Sequence, residues 1–241
     1  QLTHWPEALC ESLAAAGYYV IRFDNRDIGL STKLDHLGKT KLMQLSLASQ
    51  FGIRLPTPYK LEDMALDTFG LMDALGIESA HIVGLSMGGM IAQLLAIQQP
   101  QRVKSLTLIM TSSGNPRLPG PTWPLRLRLI SRPTNIDRES LILHSMQTWR
   151  MMSGPGYRPD DTELRRMTER NLTRGVHPRG IARQTVAILH AKNRVPALKK
   201  LATRTQIIHG KSDPLVPVAA AHDLAKHIPG AKLEIIAGMG H

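Results

Sequence analysis

The sequence predicts an α/β protein: a mostly parallel β-sheet with helices on both faces, interrupted by one helical insertion. Three observations support this prediction. The strand-like segments are apolar along their whole length, as in strands buried on both faces of a sheet. They alternate with helical segments, which is typical of parallel strands joined by crossover helices. Between residues 112 and 200 the periodicity is helical throughout, without any strand pattern.

The chain up to residue 111 predicts alternating helices and strands. Gly17, Gly76 and Pro100 act as stop signals that end the helices. In order, we predict a helix over 6–16, a strand over 18–24 (YYVIRFD), a helix over 61–75, a strand over 81–86 (HIVGLS), a helix over 87–99 and a strand over 103–110 (VKSLTLIM).

The insertion and the end of the chain complete the prediction. Helical windows cover roughly 123–131, 138–152, 160–174 and 178–192, separated by Gly- and Pro-rich turns. Strand–helix alternation then resumes with a strand over 205–210 (TQIIHG), a helix over 218–228 and a strand over 232–238 (KLEIIAG). We therefore divide the chain into a core, residues 1–111 and 201–241, and a helical domain, residues 112–200.

Composition sets broad limits on the class of protein. The 241 residues are 42% hydrophobic, which is enough to bury a sizeable core. The single cysteine excludes an internal disulfide and is typical of a reducing compartment, so we expect a cytoplasmic protein. No apolar run approaches the roughly 18 residues of a membrane span. The chain does not begin with methionine, so secretion stays open.

The positive charge is concentrated in the insertion. The net charge is +11, and residues 112–200 hold 17 Lys and Arg against 6 Asp and Glu, whereas the rest holds 13 of each. This excess of positive charge has two alternative interpretations. It forms a solvated outer face, or it attracts an acidic substrate or an anionic membrane surface. Nucleic acid is not an expected partner, because no aromatic interleaving or known reader motif accompanies the arginines.

The pentapeptide GLSMG at 84–88 is the strongest chemical signal in the chain. It fits Gly-x-Ser-x-Gly at a strand-to-helix junction, where a sharp turn strains the serine backbone and exposes its hydroxyl above the sheet. Gly84 and Gly88 have no Cβ to clash in that turn. We predict that Ser86 is a nucleophile and that amides at the start of the following helix stabilise developing negative charge. The alternative is a small-residue turn without chemistry.

A serine nucleophile needs a histidine base, and that base needs an orienting carboxylate. Asp213 and His241 each lie in a loop just after a predicted strand, as catalytic groups of parallel sheets do. Alternatively, Asp213 only caps the following helix. Nine other histidines compete with His241, but only His241 follows a strand in a glycine-rich loop. The positions just after Met110, where an acid could also lie, hold no carboxylate. No cofactor motif or metal-ligand cluster is visible.

Four segments together resemble a known family: GLSMGG (84–89), HGKSDPLVP (209–217), GMGH (238–241) and RFDNRDIGLS (22–31). They resemble the α/β-hydrolase fold superfamily, and with QLTHWP near the start they resemble its esterase branch of aclacinomycin methylesterase-like proteins. In the last segment Asp27 stands where glycine is usual. We expect its neighbours Asp24 and Arg26 to be structural.

The resemblance implies further features of the fold and of the oxyanion hole. The insertion at 112–200 would be a lid over the nucleophile. The Met87 amide would be one oxyanion donor, and the second would lie upstream of Gln1. N-terminal strands and a C-terminal closing helix of the family would be missing from this chain.

The predicted function is a serine hydrolase that cleaves carboxylic esters with a Ser86–His241–Asp213 triad through an acyl-enzyme. The expected partner is a small-molecule ester with an apolar acyl or ring group, without a cofactor, a metal, nucleic acid or a membrane span. Alternatives are a cofactor-free perhydrolase or haloperoxidase, or a carbon–carbon bond hydrolase with the same triad. A non-catalytic ligand-binding module of the same fold is an alternative of another class.

Overall fold

The computed structural model describes residues 2–38, 57–131 and 133–241. The chain forms two compact units: Gln1–Tyr59 with Asp161–His190, and Lys60–Asp160 with Ala191–His241. Among the described helices, none is long and apolar enough to cross a membrane. The predicted parallel sheet lies in the second unit.

The sheet has four parallel strands in the spatial order β1-β2-β3-β4. Their bounds are β1 Ala80–Leu85, β2 Val103–Ile109, β3 Thr205–Gly210 and β4 Lys232–Ile236. Because all four strands are parallel, their carboxyl ends lie at one edge of the sheet. The predicted parallel α/β architecture is confirmed.

The described helices follow the predicted order. They are α1 Glu7–Ala15, α2 Leu61–Ala74, α3 Met87–Gln98, α4 Trp123–Ile130, α5 Arg138–Met152, α6 Asp161–Arg174, α7 Pro178–Leu189, the short α8 Val195–Leu198 and α9 Ala219–His227, with 3₁₀ turns at Leu2–His4, Asp35–Leu37 and Pro100–Arg102. Helices α4, α5 and α8 fall in the second unit, and α6 and α7 fall in the first. The lid over residues 112–200 therefore divides between the two units and stays a prediction.

Helices α3 and α9 cover the sheet on which the site is built. Helix α3 packs against β1 and β2, and its apolar residues Ile91 and Leu95 are buried. Helix α9 packs against β3 and β4 through buried Ala221 and Leu224. Burial of these side chains, each worth about 1.5–3 kcal/mol for a large one, fixes the strand ends that carry the site.

The predicted strand over residues 18–24 is wrong. This segment has no strand pairing in the described residues, and the Tyr19 side chain is 86% exposed. An extended segment becomes a strand only when its backbone groups bond to a neighbouring strand. Its apolar, β-branched composition indicated strand propensity but could not indicate the partner.

The first unit is held together by buried ion pairs. Asp24 accepts hydrogen bonds from the Leu2 and Leu30 amides and from the Arg174 guanidinium. Arg26 stacks over the Tyr59 ring at 5.2 Å from its centroid. Asp24 and Arg26 therefore have structural contacts, as expected from the sequence.

Asp27, the residue found in place of the usual glycine, has the left-handed backbone conformation that glycine favours, with φ of 70°. Its carboxylate forms a bidentate pair with Arg183 at 2.7 Å for both bonds, and both side chains are fully buried. Despite burial, which opposes ionisation, the bonds from Arg183 and from the Leu34 amide lower the pKa of Asp27 to about 2. Asp27 thus combines a backbone strain of about 1–3 kcal/mol with a fully buried ion pair.

We expect Arg183→Met to destabilise the protein by about 3–5 kcal/mol, because it leaves the Asp27 carboxylate buried and unpaired. Urea unfolding near neutral pH measures this loss. Arg179→Met, an exposed position on the same helix, is the matched control and should change the free energy of unfolding by less than about 0.5 kcal/mol. Equal effects of the two variants would contradict the expected cost of leaving the Asp27 carboxylate buried without its partner.

Candidate active site

Ser86 occupies a strained turn between β1 and α3. Its backbone angles are φ 53° and ψ −119°, which few non-glycine residues adopt. The turn is held by hydrogen bonds: the Ser86 amide donates to the Ile109 carbonyl at 2.9 Å, and the Ser86 carbonyl accepts from the Thr111 hydroxyl at 2.7 Å and from the Gly89 amide at 2.9 Å. Strain that is held in place by several surrounding bonds is typical of functional sites.

This turn requires glycine at two positions, 84 and 89. The sequence predicted Gly84 and Gly88, so only Gly84 is among the required ones. A Cβ on Gly84 would lie 2.4 Å from the Gly88 carbonyl oxygen, so no side chain fits there. A Cβ on Gly88 would meet no atom within 4 Å, and the steric role predicted for Gly88 is therefore wrong. The second required glycine is Gly89, where a Cβ would lie 2.6 Å from the Thr111 Cβ. In the sequence, the requirement at position 89 was indicated only by the glycine that directly follows Gly88.

Asp213 and His241 meet at the carboxyl edge of the sheet. The His241 Nδ1 lies 2.8 Å from the Asp213 Oδ2, with the imidazole 6% exposed and the carboxylate fully buried. The other oxygen, Oδ1, accepts the Leu215 and Val216 amides, each at 2.8 Å. An ionised carboxylate only accepts hydrogen bonds, so this arrangement holds a proton on Nδ1 and leaves Nε2 of His241 as an acceptor.

Ser86 directly follows β1 at the same edge of the sheet at which the Asp213 and His241 loops begin. Within the described part of the chain, its hydroxyl forms no hydrogen bond with His241. Catalytic bonds of this kind are often long in the absence of substrate and tighten in the reacting complex. The structure thus joins two of the three predicted residues and places the third on the same edge.

The predicted oxyanion donor, the Met87 amide, lies at the start of α3. Met87 is the first residue of α3, and the first amides of a helix have no acceptor within the helix. The Gly89 and Met90 amides already donate to the Ser86 carbonyl, at 2.9 and 3.2 Å. The positive end of the helix dipole adds to the attraction for an anion beside Ser86.

One competing histidine, His81, and a further carboxylate, Asp223, have partners outside the proposed triad. His81, at the opposite end of β1, lies 2.7 Å from the Ser105 hydroxyl. Asp223 accepts bonds from Ser113 at 2.5 Å and from Asn115 at 2.8 Å. In the residues that the structure describes, no group of three or more His, Cys, Asp or Glu side chains could hold a metal ion.

His209, one of the nine histidines that compete with His241, packs and bonds locally at the end of β3, as its place in the sequence predicts, and it also lies beside Asp213. It is fully buried at the end of β3, its Nε2 lies 2.7 Å from the Val216 carbonyl, and it is 3.4 Å from the Asp213 Oδ2. When its Nε2 carries the hydrogen, His209 donates it to the Val216 carbonyl and stabilises the turn that carries Asp213. Burial lowers the pKa of His209, although the Val216 bond and the Asp213 charge oppose that shift.

This lowered pKa predicts a loss of stability in acid. The folded state holds His209 neutral, while the unfolded state takes up a proton below about pH 6.5, so stability is retained above that pH and falls as the pH drops toward the folded pKa. His209→Gln, whose amide can still donate to Val216, should reduce the slope by up to about 1.4 kcal/mol per pH unit. Urea unfolding between about pH 5 and 6.5 measures the slope.

His81→Gln is the control for this experiment, because His81 is exposed near the start of β1, away from His209. It should keep the wild-type slope. A wild-type slope in His209→Gln would show that the buried imidazole does not govern the acid instability.

Comparison with known proteins identifies the family to which the chain is similar. The sequence profile of the α/β hydrolase fold matches residues 2–241. Rhodomycin D methylesterase DauP of Streptomyces sp. (strain C5) is 30% identical over 98% of this chain and 80% of its own length. Rhodomycin D methylesterase DnrP of Streptomyces peucetius is 29% identical with the same coverage.

Solved structures agree on the fold. The putative non-heme bromoperoxidase BpoC of Mycobacterium tuberculosis H37Rv aligns with a TM-score of 0.68 at 20% identity, over 96% of this chain and 77% of its own. A hydrolase of Pseudomonas aeruginosa PA01 aligns with a TM-score of 0.65 at 21% identity, over 96% and 78%. The chain belongs to the α/β-hydrolase fold family, in the esterase branch that includes the rhodomycin D methylesterases.

Proposed function

We propose that this protein is a serine hydrolase that cleaves carboxylic esters through an acyl-enzyme formed on Ser86. The observation that carries the proposal is the 2.8 Å bond between Asp213 and His241, at the sheet edge where Ser86 occupies a strained strand-to-helix turn. The methylesterases that share 29–30% identity over nearly the whole chain support ester hydrolysis as its reaction.

Each proposed residue has one role in the reaction. His241 Nε2 accepts the hydroxyl proton as Ser86 Oγ attacks the ester carbonyl, and the resulting oxyanion is stabilised by the Met87 amide. The imidazolium then gives the proton to the departing alkoxide, which leaves as the alcohol. Water attacks the acyl-enzyme in the same way, with His241 again as the base, and releases the acid and free Ser86. Asp213 keeps the imidazole oriented and stabilises its charged form.

For the substrate we propose a methyl ester of a small molecule that carries an apolar ring or acyl group. The two methylesterase relatives support the methyl group. Exposed apolar side chains on α4 of the predicted lid, among them Trp123 (72% exposed) and Leu127 (59%), provide apolar surface for such a group. Methionines of the predicted lid, such as Met151, would let that surface adapt to varied shapes.

A fluorophosphonate probe tests the proposal directly, because it reacts only with an activated serine. The purified protein should be labelled at Ser86, found by peptide mass spectrometry, and methyl-ester substrate should slow the labelling. Ester hydrolysis should exceed both peracid formation and cleavage of a dienoate-type diketone. Ligand binding without label on Ser86 would instead favour the non-catalytic module, and a faster peracid or diketone reaction would favour the corresponding alternative enzyme.

A further inference from the structure

The loop that carries His241 is bonded along its length to the last residue of α5 and to the residues that follow it. The His241 amide donates to the Met152 carbonyl at 2.7 Å, and the Gly240 amide donates to the Ser153 carbonyl at 2.9 Å. In the opposite direction, the Gly156 amide donates to the Gly238 carbonyl at 2.9 Å. We call residues 152–156 the clamp. Helix α5 and the clamp belong to the predicted lid, whereas His241 belongs to the predicted core.

The two backbones lie so close that only glycine fits between them. Gly154 has a φ of +77°, and a Cβ there would lie 2.5 Å from the Gly240 amide nitrogen and 2.7 Å from the Gly238 oxygen. A Cβ on Gly240 would lie 1.8 Å from the Met152 oxygen. Because backbone atoms cannot move aside as flexible side chains do, any substitution here must displace one of the two segments.

The opposite side of the histidine loop is fixed against β3. The Ser212 amide donates to the Met239 carbonyl at 2.9 Å, and a Cβ on Gly210 would lie 2.2 Å from the Gly240 oxygen. The loop is therefore held between the strand end that carries Asp213 and the clamp. A shift of the clamp cannot be absorbed on the other side and must move His241.

The clamp itself is anchored through α5. The Ser153 amide and hydroxyl both bond to the Trp149 carbonyl, at 3.0 and 2.8 Å, and end the helix at a fixed point. Ile142, Met146 and Met152 are buried along α5. The Arg128 guanidinium of α4 bonds to the Thr148 hydroxyl of α5 at 3.0 Å, which ties the two helices together.

We propose that the clamp, through Gly154, is the positioning element of the catalytic base, so that α5 sets the distance between the His241 imidazole and Ser86. This inference rests on the proposed function, because it assumes that His241 is the base. It assigns a catalytic consequence to residues 152–156, which bond to the histidine loop through their backbone atoms. A change in the position of α5 would alter proton transfer without changing any residue of the triad.

Gly154→Ala tests the proposal, with Gly230→Ala as the matched control. Both glycines have left-handed backbones, but a Cβ on Gly230 meets no atom within 4 Å. The two variants therefore share the strain of alanine at positive φ and differ only in the contact with the histidine loop. Gly154→Ala should lower kcat by about 10²-fold, with KM changed less than threefold, because a displacement of about 1 Å is enough for such a loss. The rate of fluorophosphonate labelling at Ser86 should fall in parallel.

Gly230→Ala should keep kcat within about twofold, and its loss of thermal stability should be limited to the strain of alanine at positive φ. If Gly154→Ala does not fold, Gly156→Ala replaces it, because its Cβ would lie 3.2 Å from the Gly238 Cα and requires a smaller shift. It should lower kcat by about tenfold at a nearly unchanged KM.

A folded Gly154→Ala or Gly156→Ala variant with the kcat of Gly230→Ala would overturn the clamp proposal. Failure of the clamp proposal can be distinguished from failure of the proposed function. If the Ser86→Ala variant is inactive while the clamp variants are fully active, only the clamp proposal fails. If Ser86→Ala keeps wild-type hydrolysis, the proposed function fails first.

Discussion

Replacing Ser86 with alanine should lower kcat for ester hydrolysis by about 10⁴- to 10⁶-fold, because the acyl-enzyme can then no longer form. The substitution removes one oxygen atom and keeps the Cβ, so the strained turn at φ 53° and its backbone bonds to Ile109 and Thr111 should persist. Initial rates on a methyl ester, measured at saturating substrate, provide the comparison. Substrate binding should change little, since the hydroxyl contributes mainly to the transition state.

Ser105→Ala is the control for this experiment. Ser105 lies on β2, where its hydroxyl contacts His81 at the end of the sheet opposite to the proposed site. It should keep wild-type kcat. Hydrolysis by Ser86→Ala at more than about one hundredth of the wild-type rate would be incompatible with a covalent mechanism on this residue.

Asp213→Asn should lower kcat by about 10⁴-fold with little change in the backbone. The two acceptor bonds from the Leu215 and Val216 amides, both to Oδ1, should hold the amide oxygen in that position. The amide NH₂ then faces His241 Nδ1, where the carboxylate Oδ2 lies in the wild type. Since NH₂ is a donor, Nδ1 must accept, and the imidazole proton moves to Nε2. His241 can then no longer take the proton of Ser86.

Asp223→Asn is the matched control for Asp213→Asn. Asp223 is also largely buried and also accepts two side-chain bonds, from Ser113 and Asn115, and in the part of the chain that the structure describes its bonds are to groups outside the proposed triad. It should lose some stability and keep kcat within a few-fold. Equal losses of kcat in both variants, at equal stability, would indicate a general structural effect and not a tautomer effect.

The sequence alone predicted the elements whose signals are local. Each strand of the sheet was predicted to within about two residues, because a run of apolar residues bounded by glycine or proline reflects burial on both faces. The Ser86 turn was predicted because its glycines, its preceding strand and its following helix are adjacent in the chain. In contrast, residues 18–24 have strand-like composition but no strand partner among the residues that the structure describes, and a partner cannot be read from a local pattern.

What only the tertiary structure decided are contacts between residues far apart in sequence. The requirement for glycine at position 89, and not at 88, arises from Thr111, which lies two residues after the end of the neighbouring strand β2. His209 lies next to the Asp213 carboxylate because the fold buries it at the end of β3. A histidine in an exposed loop would not make this contact.

The sequence thus determined which residues could act chemically, namely Ser86, Asp213 and His241, and that each lies just after a strand. It could do so because strand ends and turns depend on neighbours along the chain. The pairing of Asp213 with His241, and the seating of the histidine loop against residues 152–156, were decided by packing. These contacts depend on backbone separations of a few ångströms between distant segments, and such separations exist only in the folded chain.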